Sequence, residues 1–103
     1  TWFDRQWALN VMDRGLQSVQ TKFDQSGKSK QFEALKPWLI GDTENLSQAD
    51  AAAKLGMTTG ALKVAIHRLR MDFRVAIETE ISQTVSDPAE VAGELRYLIE
   101  VLS

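Results

Sequence analysis

The strongest constraint on the fold is a glycine between two helix-type segments near the middle of the 103-residue chain. The stretch 46–70 reads LSQADAAAKLGMTTGALKVAIHRLR, and Gly56 interrupts it. Ser47, and either Thr58 or Thr59, carry hydroxyls that suit the N-caps of the two segments. Gly56 suits the left-handed residue that ends a helix, because a Cβ would clash there. The stretch therefore predicts two helices joined by a short turn.

The same stretch also predicts how the two helices pack. A steep crossing after a short turn needs a small side chain, and Ala52 stands four residues before Gly56. We expect Leu55, Leu62 and Ile66 to close the core between the helices. The outer face of the second helix then carries Thr58, Thr59, Lys63, His67 and Arg68, a composition that suits a DNA major groove. Any helical hairpin with a glycine turn shows this spacing, so it leaves a plain hairpin equally open.

The rest of the chain also has helical periodicity, and no stretch alternates β-branched with polar residues as a strand would. We predict an all-α fold of five helices with a central helix-turn-helix and a long recognition helix. The first two helices cover about 3–23 and 30–39, with Pro37 bending or shortening the second. The third ends near Leu55, and the fourth continues until Pro88, about 40 Å. The fifth starts at Asp87, with Pro88 at its first position and Glu90 completing a capping box.

The core predictions follow the apolar stripes of these helices. They comprise Trp7, Ala8, Val11, Met12, Leu16, Val19 and Phe23 in the first helix, Phe32, Leu35 and Trp38 or Leu39 in the second, Leu62, Ile66, Leu69, Phe73, Ile77 and Ile81 in the fourth, and Val91, Leu95, Leu98 and Leu102 in the fifth. All three tryptophans, Trp2 included, are expected to serve packing.

Charge is distributed unevenly along a chain whose formal net charge is −2. Residues 1–45 hold six basic and six acidic side chains, and residues 46–53 add one aspartate. Residues 54–74 hold five Lys or Arg against one Asp, net +4, whereas residues 75–103 hold six acids against one arginine, net −5. A polyanion responds to the local field within about 10 Å at 0.1 M salt. The acidic total therefore does not exclude DNA, although it predicts weak non-specific binding.

Composition excludes several classes of protein. Without cysteine the chain has no disulfide and no thiolate metal site, which suits a reducing cytoplasm. One histidine leaves few donors for a metal, so we expect no metal and no cofactor. No apolar run is long enough to span a membrane. The chain opens on Thr1 followed by Trp2 and Phe3, and we therefore treat it as a single domain, 1–103, from a longer protein.

The central stretch resembles region 4, the promoter-reading domain, of bacterial sigma factors. A small-residue helix, LG, then G-x-(L/V)-K and a hydrophobic-x-R-x-R run follow in the family's order. The flanks FDRQWALNVMDR, FEALKPWLIG and ISQTVSDPAEVAGELRYL resemble a planctomycete-like branch of the extracytoplasmic-function type. That branch carries a carboxy-terminal extension, here about 75–103. Region 2 of the family has no counterpart in this chain.

This resemblance implies a non-enzymatic role in the cytoplasm. Such a domain binds the minus-35 promoter element, docks on the flap of core RNA polymerase, and has an anti-sigma factor as a further partner. By position, Lys63, Val64, His67 and Arg68 match the recognition residues that reach bases or phosphates, and Arg70 follows them. Thr58, Thr59 and Gly60 match the helix start, where amides can hold a phosphate. Ala61, Val64 and Ala65 depart from the threonine, serine and arginine that relatives often carry.

Each of these side chains also has a plainer interpretation. Lys63 and Arg68 would suit an ordinary solvated face, and His67 could stack on a base, bind a phosphate or only border the groove. Arg70 and Arg74 could touch phosphate or pair with acids of the last helix, and pairing is favoured for Arg74.

Two other classes of function stay open besides DNA binding. The chain could be a helix-turn-helix adaptor or regulator that acts through protein contacts. An enzyme is the least supported hypothesis, since the chain lacks a glycine-rich phosphate loop and a nucleophile with a plausible base. Glu78 and Glu80 lie on different faces of a helix and so do not make a carboxylate pair.

Overall fold

Five α-helices make up nearly all of the described chain. The computed structural model describes the backbone of residues 2–41 and 43–102 and the side chains of residues 4–41 and 43–102. The helices are α1 (Trp2–Gln25), α2 (Ser29–Ile40), α3 (Gln48–Leu55), α4 (Thr59–Ser82) and α5 (Val91–Leu102), with a single 3₁₀ turn at Pro88–Glu90 before α5. Residues 2–41 and 43–102 contain no strand. The prediction of an all-α, five-helix fold is confirmed.

The helices are organised in two compact units. One comprises Thr1–Val19 with Phe73–Ser103, and the other comprises Gln20–Asp72. The long helices α1 and α4 each contribute residues to both units.

The first unit packs the amino-terminal part of α1 with the carboxy-terminal part of α4 and with α5. Its buried apolar side chains are Ala8, Val11, Val19, Phe73, Ile77, Ile81 and Leu98. Gly15 is buried among them, and a Cβ built on it would lie 3.0 Å from Ile77 Cγ1 and 3.4 Å from Phe73 Cε1. The close approach of α1 to α4 therefore depends on the absence of a side chain at position 15.

Tyr97 links α5 to α1 through a hydrogen bond and a ring contact. The Tyr97 hydroxyl donates to Asp4 Oδ2 at 2.7 Å, and the Tyr97 ring centroid lies 6.2 Å from that of Trp7. The hydrogen bond to Asp4 raises the pKa of Tyr97 above its ordinary value of 10.0. Of the stripe expected to be buried in α5, only Leu98 is fully buried; Val91, Leu95 and Leu102 are half-buried.

The second unit contains α2, α3 and the first half of α4. Its buried apolar side chains are Phe32, Leu35, Trp38, Ala52, Leu62, Ile66 and Leu69. The rings of Phe23 and Phe32 pack against each other at a tilt of 51° with centroids 5.5 Å apart, and this contact joins the end of α1 to α2. Trp38, rather than its neighbour Leu39, takes the last buried position of α2. The core predictions for α2 and α4 are thereby confirmed.

The tryptophans differ in burial. Trp38 is buried and Trp7 is half-buried. The side chain of Trp2, also predicted to pack, lies outside the described residues.

Helix α2 contains a proline and does not stop there. Pro37 lies inside the helix, which continues to Ile40. Gly41 then adopts φ 85°, the left-handed region that favours glycine, and its amide donates to the Pro37 carbonyl at 3.0 Å. Of the two effects expected of Pro37, bending or shortening, the shortening is wrong, because the helix runs one residue past its predicted end at Leu39.

Helix α4 ends earlier than expected. It stops at Ser82 after 24 residues, about 36 Å at 1.5 Å per residue, and not at Pro88. The Thr79, Ser82 and Thr84 hydroxyls donate to carbonyls three or four residues before them, at 2.6–2.9 Å. Such bonds offer the backbone an alternative to the regular ladder, and serine and threonine are poor helix formers. The SQTVS segment therefore ends the helix without glycine or proline.

Asp87 caps the helical start that follows, as predicted. Its Oδ1 accepts a hydrogen bond from the Ala89 amide at 3.0 Å, with Pro88 at the first helical position. The expected capping box is incomplete, since the Glu90 amide bonds instead to the Asp87 carbonyl, at 2.9 Å. The first turn is consequently a 3₁₀ turn.

We expect replacement of Ala52 by leucine to destabilise the fold by about 1–3 kcal/mol, because the 2 % exposed Ala52 leaves no room for a larger side chain. Thermal melting followed by circular dichroism measures the change. Ala53→Leu is the matched control, since Ala53 is exposed on the same helix. Equal melting temperatures for the two variants would contradict the close packing inferred from the burial of Ala52.

Candidate nucleic-acid interface

A Schellman-type turn joins α3 to α4. Gly56 adopts φ 68°, its amide donates to the Ala53 carbonyl at 3.2 Å, and the Met57 amide donates to the Ala52 carbonyl at 2.9 Å. These bonds satisfy carbonyls that the end of α3 would otherwise leave without partners. A side chain at Gly56 would be strained by its backbone angle, although a Cβ there would meet no atom within 4 Å.

Hydroxyl caps begin both helices of this pair, as predicted. The Ser47 Oγ accepts from the Asp50 amide at 3.3 Å, and the Thr58 Oγ1 accepts from the Ala61 amide at 3.1 Å. Thr58 is thus the N-cap of α4. Three residues, 56–58, separate the last residue of α3 from the first of α4. This is the length of turn found in helix-turn-helix motifs.

The predicted DNA face of α4 is exposed over its first three turns. Leu62, Ile66 and Leu69 point into the core. The exposed set comprises Thr58, Thr59, Gly60, Lys63, Val64, His67 and Arg68. Val64 is an apolar member of this set and is 50 % exposed. The structure thus places these seven predicted site residues together on the accessible side of one helix segment.

Arg70, the eighth predicted residue, has a different partner. Its Nε and Nη2 donate to the Trp38 carbonyl at 3.3 and 3.1 Å. That carbonyl lies in the last turn of α2, where the ladder leaves acceptors free and the helix dipole favours a cation. Helix α2 has no basic residue of its own in this turn. Arg70 therefore closes α2 and fixes α4 against it, a role that the sequence pattern did not indicate.

Arg74 pairs within its own helix. Its Nε lies 3.0 Å from Glu78 Oε1, four residues further along α4, in a pair with 66 % and 40 % side-chain exposure. The expectation that Arg74 pairs with an acid of the last helix is wrong. The i, i+4 spacing supplies a carboxylate without any tertiary contact, and such exposed pairs contribute little stability.

A groove lies beside the DNA face. It encloses about 570 Å³, and all of its lining residues belong to the second unit. One wall comes from the end of α1 and the start of α2, with Lys22, Phe23, Ser26, Lys28 and Gln31. The opposite side carries Met57, Ala61, Val64, Ala65, Arg68, Leu69 and Asp72. Val64 and Arg68 therefore belong both to the groove and to the predicted DNA face.

Two lysines of the groove, Lys22 and Lys28, are not among the site residues that the sequence predicts. Lys22 and Lys28 lie 46 and 40 residues before Arg68, and no local pattern marks either of them as part of a site. Only the packing of the end of α1 and the start of α2 beside α4 brings them to one groove with Arg68.

The described residues, 2–41 and 43–102, hold no group of three or more His, Asp or Glu side chains that could bind a metal ion. Within the same residues, every helix is too short or too polar to cross a bilayer.

Comparisons with known proteins return no relative. A scan against protein-family models, a search of curated proteins and a search of solved structures each found no match for this chain.

We expect Arg70→Met to lower the free energy of unfolding by about 1–2 kcal/mol, because it keeps the apolar stem and removes both donors to the Trp38 carbonyl. Chemical denaturation measures this change. Arg74→Met, one turn further along α4, is the control and should lower the free energy of unfolding by less than about 1 kcal/mol. If the two substitutions lower the free energy of unfolding equally, the bonds from Arg70 to the Trp38 carbonyl do not stabilise the end of α2.

Proposed function

We propose that this chain is a sequence-specific DNA-binding domain of a bacterial sigma factor of the extracytoplasmic-function type. In this role α4 reads the minus-35 promoter element and the domain docks on core RNA polymerase in the cytoplasm. The observation that carries the proposal is the exposed set on α4 behind a three-residue turn with a left-handed glycine. The resemblance of the stretch 46–70 to region 4 of that family supports the same role.

Different positions along α4 suit different contacts with DNA. The start of the helix offers the amides of Thr59 and Gly60 and the positive end of the helix dipole to a phosphate. Lys63 adds a point charge that attracts phosphate without reading bases, whereas the planar guanidinium of Arg68 can grip a guanine edge with two hydrogen bonds. Val64 suits apolar contact with a thymine methyl group. Phosphate contacts position the domain, and base contacts specify the site.

The local charge supports binding to a polyanion despite the acidic total. Residues 54–74 carry net +4, and they include the exposed Lys63 and Arg68. Screening at physiological salt restricts the field that DNA meets to the nearest 8–10 Å or so. The acidic residues 75–103 lower the long-range attraction, and affinity for arbitrary DNA should accordingly be modest.

A protein-binding adaptor is the second candidate function. Val64 and Met71 are apolar and 50–51 % exposed on the outer side of α4. Exposed apolar side chains on one helix would suit a partner protein better than a phosphate backbone. Measured binding to duplex DNA at low salt separates the two candidates.

We expect DNA affinity to fall as salt rises, because each phosphate contact contributes about −0.9 to the slope of log K against log salt concentration. Fluorescence anisotropy of a labelled duplex between 50 and 200 mM salt measures this slope. A titration in which duplex DNA binds equally at both salt concentrations, or at neither, would favour the adaptor.

We expect Arg68→Ala to weaken the binding free energy for the preferred duplex by about 1–3 kcal/mol and to reduce the sequence preference at one base pair. Lys63→Ala is the matched control and should weaken all sequences alike, since it removes only a phosphate contact. Binding across a library of single-base variants measures both. An Arg68→Ala profile that is uniformly lower, with each preference intact, would make Arg68 a phosphate contact and assign base reading to Val64 and His67.

A further inference from the structure

The two walls of the groove beside α4 differ in chemistry. The wall from α1 and α2 presents four side chains that can donate hydrogen bonds: Lys22, Ser26, Lys28 and Gln31. The opposite side, on α4, is mostly apolar near the predicted DNA face, with Ala61, Val64 and Ala65, and Arg68 is its cation. The groove thus has a donor-rich wall facing a base-reading helix.

Charge in the groove favours an anionic occupant. Lys22, Lys28 and Arg68 outnumber Asp72, the carboxylate among its lining residues, and leave an excess of two positive charges. Asp24, which lies between Lys22 and Lys28 in the sequence, is not among the lining residues, and its Oδ1 accepts a hydrogen bond from the Ser29 hydroxyl at 2.6 Å. Lys22, Lys28 and Arg68 are all exposed. Their ammonium and guanidinium groups are accordingly accessible to a large anion that passes along the groove.

We propose that Lys22 and Lys28 hold the sugar-phosphate backbone of the duplex that α4 reads. This inference rests on the proposed function and extends the interface from α4 to the junction of α1 and α2. A duplex whose base edges meet Val64 and Arg68 carries a phosphate strand on either side of its major groove. The donor-rich wall borders that position, and lysine, serine and glutamine side chains are common phosphate ligands.

An acidic polypeptide is the other anion that such a groove could bind, and the donor-rich wall argues against it. A docked amphipathic helix needs apolar surface to receive its anchoring side chains, and in this groove most of that surface lies on the α4 side, which the proposed function assigns to the bases of the duplex. On the α1–α2 wall the apolar lining residue is Phe23, which is half-buried and packs its ring against that of Phe32. A phosphate backbone needs no such surface and needs the donors that this wall has.

The test compares two pairs of substitutions that remove the same charge. Lys22→Gln with Lys28→Gln alters the groove, and Arg5→Gln with Arg14→Gln alters exposed positions of α1 that do not line it. Glutamine has nearly the helix propensity of lysine and arginine, so both variants should fold, and circular dichroism checks this. Lys22→Arg with Lys28→Arg keeps the charge and should restore binding.

The readout is the salt dependence of DNA binding by the whole chain, measured by anisotropy across single-base variants of the preferred duplex. The slope of log K against log salt is negative, and loss of two phosphate contacts should reduce its magnitude by about 1.8. The fall in affinity between 50 and 200 mM salt should then be about twelvefold smaller than for the unaltered chain. Base preferences should stay unchanged, because these lysines touch no base. The Arg5 and Arg14 variant should keep the slope of the unaltered chain.

A groove variant whose slope equals that of the Arg5 and Arg14 variant, while the unaltered chain binds DNA, would overturn the inference and leave the proposed function standing. An unaltered chain that binds no duplex at low salt would overturn both. A parallel titration with poly-L-glutamate tests the other anion. Loss of polyglutamate binding without loss of DNA binding in the groove variant would assign the groove to an acidic polypeptide and overturn the inference.

Discussion

The candidate DNA interface depends on one backbone angle. Gly56 turns the chain through φ 68°, and this conformation lets two successive amides, of Gly56 and Met57, satisfy carbonyls at the end of α3. Thr58 can then cap α4 two residues later. The exposed positions from Lys63 to Arg68 follow from where α4 starts, because a helix that began one residue later would rotate its faces by about 100°.

A second constraint fixes α4 from its side. The Arg70 guanidinium binds the Trp38 carbonyl and so joins α4 to the end of α2 by two hydrogen bonds. Arg70 is itself exposed, as are Lys63 and Arg68 on the same helix, so its two hydrogen bonds to Trp38, and not burial, give it this role. Neighbouring basic residues thus serve different purposes: Arg70 stabilises the unit, while Lys63 and Arg68 remain accessible to a partner. The net charge of residues 54–74 does not distinguish these uses, whereas the hydrogen bonds from Arg70 to the Trp38 carbonyl do.

Local rules predicted much of this architecture from the sequence. Periodicity indicated five helices and the buried residues of α2 and α4, and the hydroxyls of Ser47 and Thr58 marked two helix starts. These features depend on neighbours within four residues, which a sequence displays directly. The exposure of the predicted DNA face followed from the same periodicity, whereas its function rests on a resemblance and on chemistry.

Distant contacts and competing interactions leave no local pattern in the sequence. Arg70 meets a carbonyl 32 residues away, and Lys22 and Lys28 join Arg68 only through tertiary packing, so no spacing rule could find them. The end of α4 at Ser82 reflects competition between side-chain hydroxyls and the backbone ladder, a balance that apolar periodicity does not record. The periodicity of α4 therefore predicted an end at Pro88, six residues beyond the observed end at Ser82.

Two glycines show how different physical limits can act on the same residue type. At Gly56 space is open and the backbone angle is restrictive, so asparagine, which tolerates the left-handed region, is the least unfavourable replacement. At Gly15 the backbone is an ordinary helix and volume is restrictive, so only alanine or serine comes close to fitting beside Ile77. A mutational scan would therefore record both positions as intolerant while their ranked lists of accepted residues differ. Those rankings would separate a dihedral constraint in the turn from a steric one between α1 and α4, without any further structure.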